Sequence, residues 1–525
     1  MYRNDNDALT VMDWFCGAGG SSQGMHSIPG VRMERAANHW ERAIESHAAN
    51  FPTVDHYRGD IREAPVDSWP VTDIFWASPE CPQWSNARGK KRDFDASLQG
   101  DLFDGFGPSE EVERSRALME EVPMYLRGVQ QRGGLVKAGV VENVVDVRAW
   151  DQWDRWIGEI RKLGYETRVI ALNSMHADPR TVHKAPQSRD RLYVAYWHKS
   201  LGRTPDWDKW LRPRAWCTGC EQWVQAVQRF KQPGRDMGRY RQQYLYRCPN
   251  AKCRNQIVEP ETLPAAVAID WTIPGQRIGD RTKPLADKTL ARIQAGLDKF
   301  ARPMMVPAGG TWRNDAVPVT EPMACRTTRE NDGLAIPPLL IPVEGRDGKE
   351  PASAHAPLRT QTARNETGLA WLPFMVTMRG GGDQLRGRSI GEPVGTVSAN
   401  GNHHGLVTPE NVDWQSLLVP YYGNGNARPV REPVGTLSTR DRYALVQGDV
   451  DINDVLFRML EPHEIGRAMS FADAYIVLGS KRERVRQYGN AVTPNCAEVI
   501  VSALVEAITG DDIERHAQPE LATAA

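Results

Sequence analysis

Apolar and polar positions alternate in blocks over the first two hundred residues, and the period changes from block to block. "LTVMDWF", Leu9 to Phe15, is an apolar run of strand length that breaks into the glycine cluster "CGAGGSSQG". The following "ERAIESHAANF" spaces its apolar residues as a helix does. "VTDIFWASP" and "AGVVENVV" are further strand candidates that end in polar residues, and "YRGDI" closes another at Asp60. Strands alternating with helical stretches predict βαβ units and an α/β fold around a parallel sheet. Ligands bind such sheets at the carboxyl ends of the strands, so the glycine turn, Cys81 and Glu142 are expected along one edge.

From about Leu201 the texture changes to Trp, Arg and paired cysteines, and from about Met304 to a degenerate internal repeat. "VPVTEPMACRTTRENDGLA", "HAPLRTQTARNETGLA", "GEPVGTVSANGNHHGLV" and "REPVGTLSTRDRYALV" share a proline, a Thr or Ser cluster, a polar turn and a closing apolar pair. Their prolines, Pro322, Pro357, Pro393 and Pro433, fall 35, 36 and 40 residues apart. A short apolar piece such as "LLIPV" precedes each unit, which predicts two short strands per unit. Helical patterning returns in "EPHEIGRAMSF" and "NCAEVIVSALVEAI". The expected division is 1–200, 201–260, 261–455 and 456–510, with a disordered tail over 511–525.

The 525 residues, 40% of them hydrophobic, suit about two to four domains. No apolar run suggests a leader or a bilayer span, so a cytoplasmic location is the default. A net charge of -1 excludes little. Between Lys199 and Arg254, however, thirteen Lys or Arg stand against four Asp or Glu, a local excess suited to phosphate or to an ordinary solvated surface. Cys217 and Cys220 are separated by two residues, and Cys248 and Cys253 by four, with 27 residues between the pairs. Two such knuckles predict a four-thiolate zinc site of zinc-ribbon type.

Chemistry concentrates in four short stretches. The turn "DWFCGAGG" lets a backbone approach a cofactor closely, though it lacks the spacing of a dinucleotide site and the Lys of a phosphate loop. "SPECPQWS" places Cys81 at the end of a strand candidate, beside Glu80, which opposes its ionisation. "VENVV" sets Glu142 in apolar surroundings that raise a carboxyl pKa and suit a proton shared with a ligand, with a capping or buried ion-pair role equally open. "QSRDR" puts Arg189 and Arg191 at alternate positions entering a strand, so both project from one face. Two forked cations there suit an anion or a planar polar ring.

Together these stretches, in this order, resemble the cytosine-5 DNA methyltransferases. The likeness covers roughly residues 9–198 and 456–505, and "RMLEPHEIGRAMSFADAY" and "QYGNAVTPNCA" are similar to the family's two closing motifs. The resemblance implies a Rossmann-like catalytic domain that uses S-adenosylmethionine, with a β-rich target-recognition region that here includes the zinc-ribbon-like module. It implies Cys81 as nucleophile, Glu142 as the group on ring nitrogen 3, and Arg191 with Arg189 on the 2-carbonyl oxygen. Donor contacts carry over to Asp13, Phe15, Gly17, Gly19 and Gly20, to His39 and Trp40, to Asp60, Ile61 and Pro79, and to Asn490 and Val492. Double-stranded DNA is the implied partner, bound by a monomer through base flipping.

Two positions depart from the pattern. The family's Pro-Cys-Gln reads Glu80-Cys81-Pro82 here, while Trp84 and Ser85 keep their offsets from the cysteine. His39 stands where an acidic residue usually binds the ribose hydroxyls. The arginines and the aromatic residues Trp216, Trp223, Tyr240, Tyr244 and Tyr246 make the zinc module a candidate nucleic-acid grip, with a structural staple as the competing role. An RNA cytosine methyltransferase, another one-carbon modification of cytosine and an inactive DNA-binding homologue stay open. Restriction partner, viral self-protection and orphan modification all fit.

Overall fold

The computed structural model describes residues 8–79, 110–263 and 461–515, with short turns and strands between 265 and 459; for 110–117 and for the strands beyond 303 it describes the backbone alone. These residues divide into two compact units, one running to Ile269 and resuming at Glu461, the other built mainly from Asp270–Glu392 and His403–Leu460.

The first unit is built on seven strands: β1 (Leu9–Trp14), β2 (Val31–Asn38), β3 (Asp55–Arg58), β4 (Ile74–Ala77), β5 (Ala138–Asn143), β6 (Tyr165–Asn173) and β7 (Asp190–His198). Their spatial order is β3-β2-β1-β4-β5-β7-β6. The strands β1 to β5 pair in parallel, and β7 runs antiparallel between β5 and β6. The expected parallel sheet is therefore mixed, because β6 and β7 form an antiparallel pair whose second strand inserts beside β5. The chain moves outward from β1 to β3 and then returns to β4 on the other side, which opens a crevice at the carboxyl end of β1.

Side-chain alternation sends successive strand residues to two cores, as expected for a sheet covered on both faces. Of the helices α1 (Gly20–His26), α2 (Glu41–Asn50), α3 (Glu110–Gln131) and α4 (Trp153–Lys162), the last two share one core with Met12, Trp14, Phe75 and Val141. Val11, Ile74, Trp76 and Val140 enter the other, with Met25 of the helix Gly20–His26 and the apolar face of the helix Pro494–Thr509. That last helix begins on a proline, which gives up an N–H that the first turn leaves unpaired anyway. It stops at Gly510, whose φ of 78° continues the chain in the left-handed region. The stretch Lys481–Thr509 is long and apolar enough to cross a membrane by length and composition, contrary to the sequence reading; 89% of its most apolar 18-residue window is buried, as in a core helix.

Residues 511–515 are docked, where a disordered tail is expected. Ile513 N–H donates to Glu506 at 2.8 Å, and Arg515 donates to the carbonyls of Lys209 and Asp178. Residues 516–525 lie outside the described residues.

The cysteine-rich module belongs to the first unit. Two hairpins compose it, β8 (Arg214–Cys217) with β9 (Gln222–Gln225) and β10 (Val227–Phe230) with β11 (Tyr244–Arg247). Ala215, Val224, Tyr244 and Tyr246 join the core that holds α3 and α4.

The second unit repeats a three-stranded antiparallel plan. Strands begin at Met304, Leu339, Phe374 and Leu417, and each pairs with a two- or three-residue strand on one side and a closing strand on the other. The repeat holds, with three strands per unit instead of two; the middle strand is too short to show a period. Leu456–Met459 falls in the second unit, in a five-stranded sheet with His404–Thr408, so the closing segment of the first unit starts at Glu461. The four repeat prolines lie outside the described residues.

Candidate active site

The carboxyl ends of β1, β2 and β3 surround a pocket lined by Phe15, Ala37, Asn38, His39, Gly59, Asp60, Ile61 and Leu118. Four of the expected donor residues, Phe15, His39, Asp60 and Ile61, are in this lining. Phe15 takes a φ of 59°, a conformation that costs a non-glycine residue energy and that functional sites often retain. The Asp60 carboxylate is engaged by the Arg62 guanidinium, at 2.6 Å from Nη2. Ala37, Asn38, Gly59 and Leu118 are additions. Asn38 sits beside a residue the motif comparison singles out, whereas Leu118 comes from α3 and nothing local in the sequence marks it.

Asp13 does not reach the pocket. It is fully buried, and its Oδ2 accepts from Ser21 Oγ at 2.6 Å and Ser22 Oγ at 2.7 Å. Burial pushes its carboxyl up to about 7 against the pull of those two hydroxyls. Ser22 also meets His47 Nε2 at 2.9 Å, and His47 Nδ1 meets His56 Nε2 at 2.8 Å. Burial pushes His47 down to about 3, so the ring is neutral. A buried polar chain therefore braces the glycine turn from below.

From the other side, the closing segment braces the same turn. Tyr475 O–H donates to the Ala18 carbonyl at 2.6 Å. A Cβ on Gly20 would lie 2.0 Å from the Val492 carbonyl oxygen, and one on Gly24 would lie 2.1 Å from that of Pro494. Glycine is required at Gly20 and Gly24 because the helix they begin lies directly against the closing backbone. Gly17 and Gly19, at φ 55° and 95°, form the turn itself. Gly19, Gly20 and Val492 thus join turn to closing segment, Trp40 stacks under the Arg486 guanidinium at 4.5 Å, and Asn490 is exposed at the end of its helix.

Glu142 lies on β5 opposite Tyr193 of β7. Two residues back along β7, on the same face, Arg191 Nε sits 3.2 Å from Glu142 Oε1. Burial raises the Glu142 carboxyl, opposed by the positive charges of Arg191 and Arg189 and by a hydrogen bond from Ser78. Arg189 is committed elsewhere: its Nη2 donates to the carbonyls of Gly489 and Ala491, at 3.2 and 3.0 Å. Burial and the like charge of Arg191 push it down to about 9, so it stays charged at neutral pH. Of the two arginines, Arg191 meets Glu142 and Arg189 ties β7 to the closing segment.

Cys81, with Glu80, Pro82, Trp84 and Ser85, lies outside the described residues. The strand that leads to it is fixed as far as Pro79, whose carbonyl accepts from the Asn143 amide at 3.4 Å.

The sulfurs of Cys217, Cys220, Cys248 and Cys253 all lie within 4.8 Å of one another. Cys217 and Cys253 are 3.7 Å apart and Cys220 and Cys248 3.8 Å, too far for disulfides. A tetrahedron with metal–sulfur bonds of about 2.3 Å has edges of about 3.8 Å, so the four thiols fit one tetrahedral ion. Asn250 backbone N–H and its side-chain amide each point at a sulfur, at 3.5 Å, as donors to a thiolate would. Of the proposed gripping aromatics, Trp216 and Trp223 are exposed and pack edge to face, whereas Tyr244 and Tyr246 are buried against the catalytic strands and Tyr240 is partly buried there.

A glycine turn at the switch point of a mixed seven-stranded sheet, with a buried carboxylate two strands away and an arginine beside it on the next, gives a Rossmann-like α/β fold with a ligand site at the carboxyl ends of its strands. The chain matches the model of the C-5 cytosine-specific DNA methylase family over residues 9–123 and 395–506. It is 26% identical over 200 residues to the Type II methyltransferase M1.ScrFI of Lactococcus lactis subsp. cremoris, a match that covers 37% of this chain and 43% of that relative. Among solved structures, it resembles the Spodoptera frugiperda DNMT2 (12% identity, TM-score 0.45, 95% of this chain and 100% of that one). It also resembles a DNA modification methyltransferase of an Escherichia coli prophage (13% identity, TM-score 0.42, 95% and 99%).

Proposed function

We propose that the protein transfers a methyl group from S-adenosylmethionine to carbon 5 of a cytosine flipped out of double-stranded DNA. The observation that carries this reading is the Glu142–Arg191 pair, 3.2 Å apart, with Glu142 buried on β5, the strand next to the one that leads into Cys81, and Arg191 on β7 beyond it. The donor supplies an electrophilic methyl, and the protein must make carbon 5 nucleophilic enough to take it. Attack of the Cys81 thiolate on carbon 6 does so. Glu142 protonates or hydrogen-bonds ring nitrogen 3, and Arg191 holds the 2-carbonyl oxygen, so the charge that develops on the ring is spread over both. Carbon 5 then takes the methyl, a base or water removes the proton from that carbon, and Cys81 leaves by elimination. A stacked duplex hides carbon 6, hence the flipped base.

DNA with 5-fluorocytosine at the target blocks the elimination, because fluorine stands where the proton would be lost. Wild-type protein is expected to form an adduct stable to denaturing electrophoresis, and Cys81→Ala none. An adduct that persists in Cys81→Ala removes the assignment. Bisulfite sequencing of DNA from expressing cells supplies the target sequence, and labelled RNA serves as the competing substrate.

Cys217, Cys220, Cys248 and Cys253 hold one structural zinc in this reading, supported by the tetrahedral spacing of their sulfurs. Elemental analysis of purified protein is expected to give one zinc per chain, lost in Cys217→Ser and Cys253→Ser. Fully active metal-free protein would refute it.

A further inference from the structure

The cysteine-rich module grips the catalytic strands at three points. Along β7 the residues alternate, so Asp190 points away from the face that carries Arg191. Its Oδ1 accepts from the backbone N–H of Tyr240 at 3.1 Å and from the Tyr244 hydroxyl at 3.2 Å. Beyond Glu142, the turn after β5 is held by Arg239 on Asp146, at 2.6 Å, and by Arg148 on Asp236, at 2.9 Å. At β6, the Gln228 amide donates to the Ala171 carbonyl at 2.9 Å. The buried His176 ring, just past that strand, meets Tyr240 edge-on with centroids 4.4 Å apart.

These attachments lie where β5 and β7 carry Glu142 and Arg191. Tyr244 stands on β11, four residues before Cys248, so whatever fixes the Cys248 knuckle fixes the hydroxyl on Asp190. We infer that the module is a positioning element for the reaction: zinc at the four thiolates holds β11, Tyr244 and Tyr240 hold Asp190, and Asp190 sets the rotation of β7 that aims Arg191 at Glu142. The inference rests on the reading that Glu142 and Arg191 act on the cytosine. It gives the buried tyrosines work inside the enzyme in place of contact with DNA.

The test uses the full chain with Tyr244→Phe, which keeps the ring and removes one donor to Asp190. In steady-state methylation, kcat is expected to fall about ten- to a hundred-fold, with KM for DNA and affinity for S-adenosylmethionine unchanged. A rise in KM for DNA at unchanged kcat assigns the module to DNA binding and overturns the inference. Hydrogen–deuterium exchange supplies a readout that needs no activity. Zinc removal by EDTA, and separately Tyr244→Phe, are expected to speed exchange in 187–193 and leave 9–14 unchanged. Unchanged exchange in 187–193 under both treatments overturns the coupling. Wild-type protein that methylates no nucleic acid would defeat the proposed function, and the exchange result would still judge the coupling.

Discussion

Glu142→Gln lowers kcat for methyl transfer by about 10²- to 10⁴-fold, the usual worth of a general acid, while binding of donor and DNA persists. The amide keeps the shape of the side chain and an oxygen for Arg191, 3.2 Å away in the parent, but it has no proton to give. Burial raises the Glu142 carboxyl, so the side chain carries its proton to higher pH than an exposed glutamate does. Activity limited by that proton falls as pH rises through the raised pKa, and Glu142→Gln should lose this limb of the pH–rate profile. The linkage has the same sign. Between the ordinary carboxyl pKa and the raised one, the folded protein binds more protons than the unfolded chain. Stability contributed by Glu142 is therefore lost as pH rises through that window, and Glu142→Gln removes the slope. An unchanged rate at every pH would make Glu142 a structural partner of Arg191 alone.

Gly20→Ala is expected to destabilise the first unit by about 1–3 kcal/mol or more and to weaken donor binding with it. The added methyl would stand 2.0 Å from the Val492 carbonyl oxygen and 3.0 Å from the Phe471 ring, and backbone cannot yield as a flexible side chain can. Helix and closing segment must separate, and the turn that begins at Phe15 loses its brace. Gly17→Ala is the control: at φ 55° with nothing within 4 Å of the new methyl, it costs only backbone strain, about 1 kcal/mol. Thermal unfolding and calorimetric titration with S-adenosylmethionine measure both variants. Equal melting temperatures for Gly20→Ala and wild type would deny the contact between the helix and Val492.

Local period made β1, β4, β5, β7 and the helix Glu41–Asn50 legible, because a strand buried on both faces and a helix with one apolar stripe each write a distinct pattern. Pairing direction is not local. Nothing in "RDRLYVAYW" says that it runs against β5, so the mixed sheet required coordinates. The same boundary runs through the site. Arg189 and Arg191 share a face as alternation requires, yet only Arg191 meets Glu142, since carbonyls three hundred residues along the chain take up Arg189. Asp13 opens the glycine-turn stretch and turns inward because Ser21 and Ser22, in the first turn of the helix Gly20–His26, offer it hydroxyls. The tyrosines of the module look like a stacking surface in sequence, where burial leaves no mark, and lie mainly against the catalytic strands in the fold.

The base of the repeat-bearing unit bears on chain entropy. Gln276 pairs with Phe457 and Arg277 with Leu456, so the two ends of a long segment are antiparallel neighbours. Folding of an interrupted domain is opposed by the entropy of closing whatever joins its parts, a cost that grows with the logarithm of the connecting length. With the ends clipped together, the effective connection between Ile269 and Glu461 shrinks from roughly 190 residues to roughly 11, which relieves about 2.5 kcal/mol of closure cost. The number of repeats inside the clip then drops out of the account. Units can be gained or lost there with no entropic charge to the sheet that holds Glu142 and Arg191, so the chain can lengthen or shorten its repeat array without renegotiating the stability of its first unit.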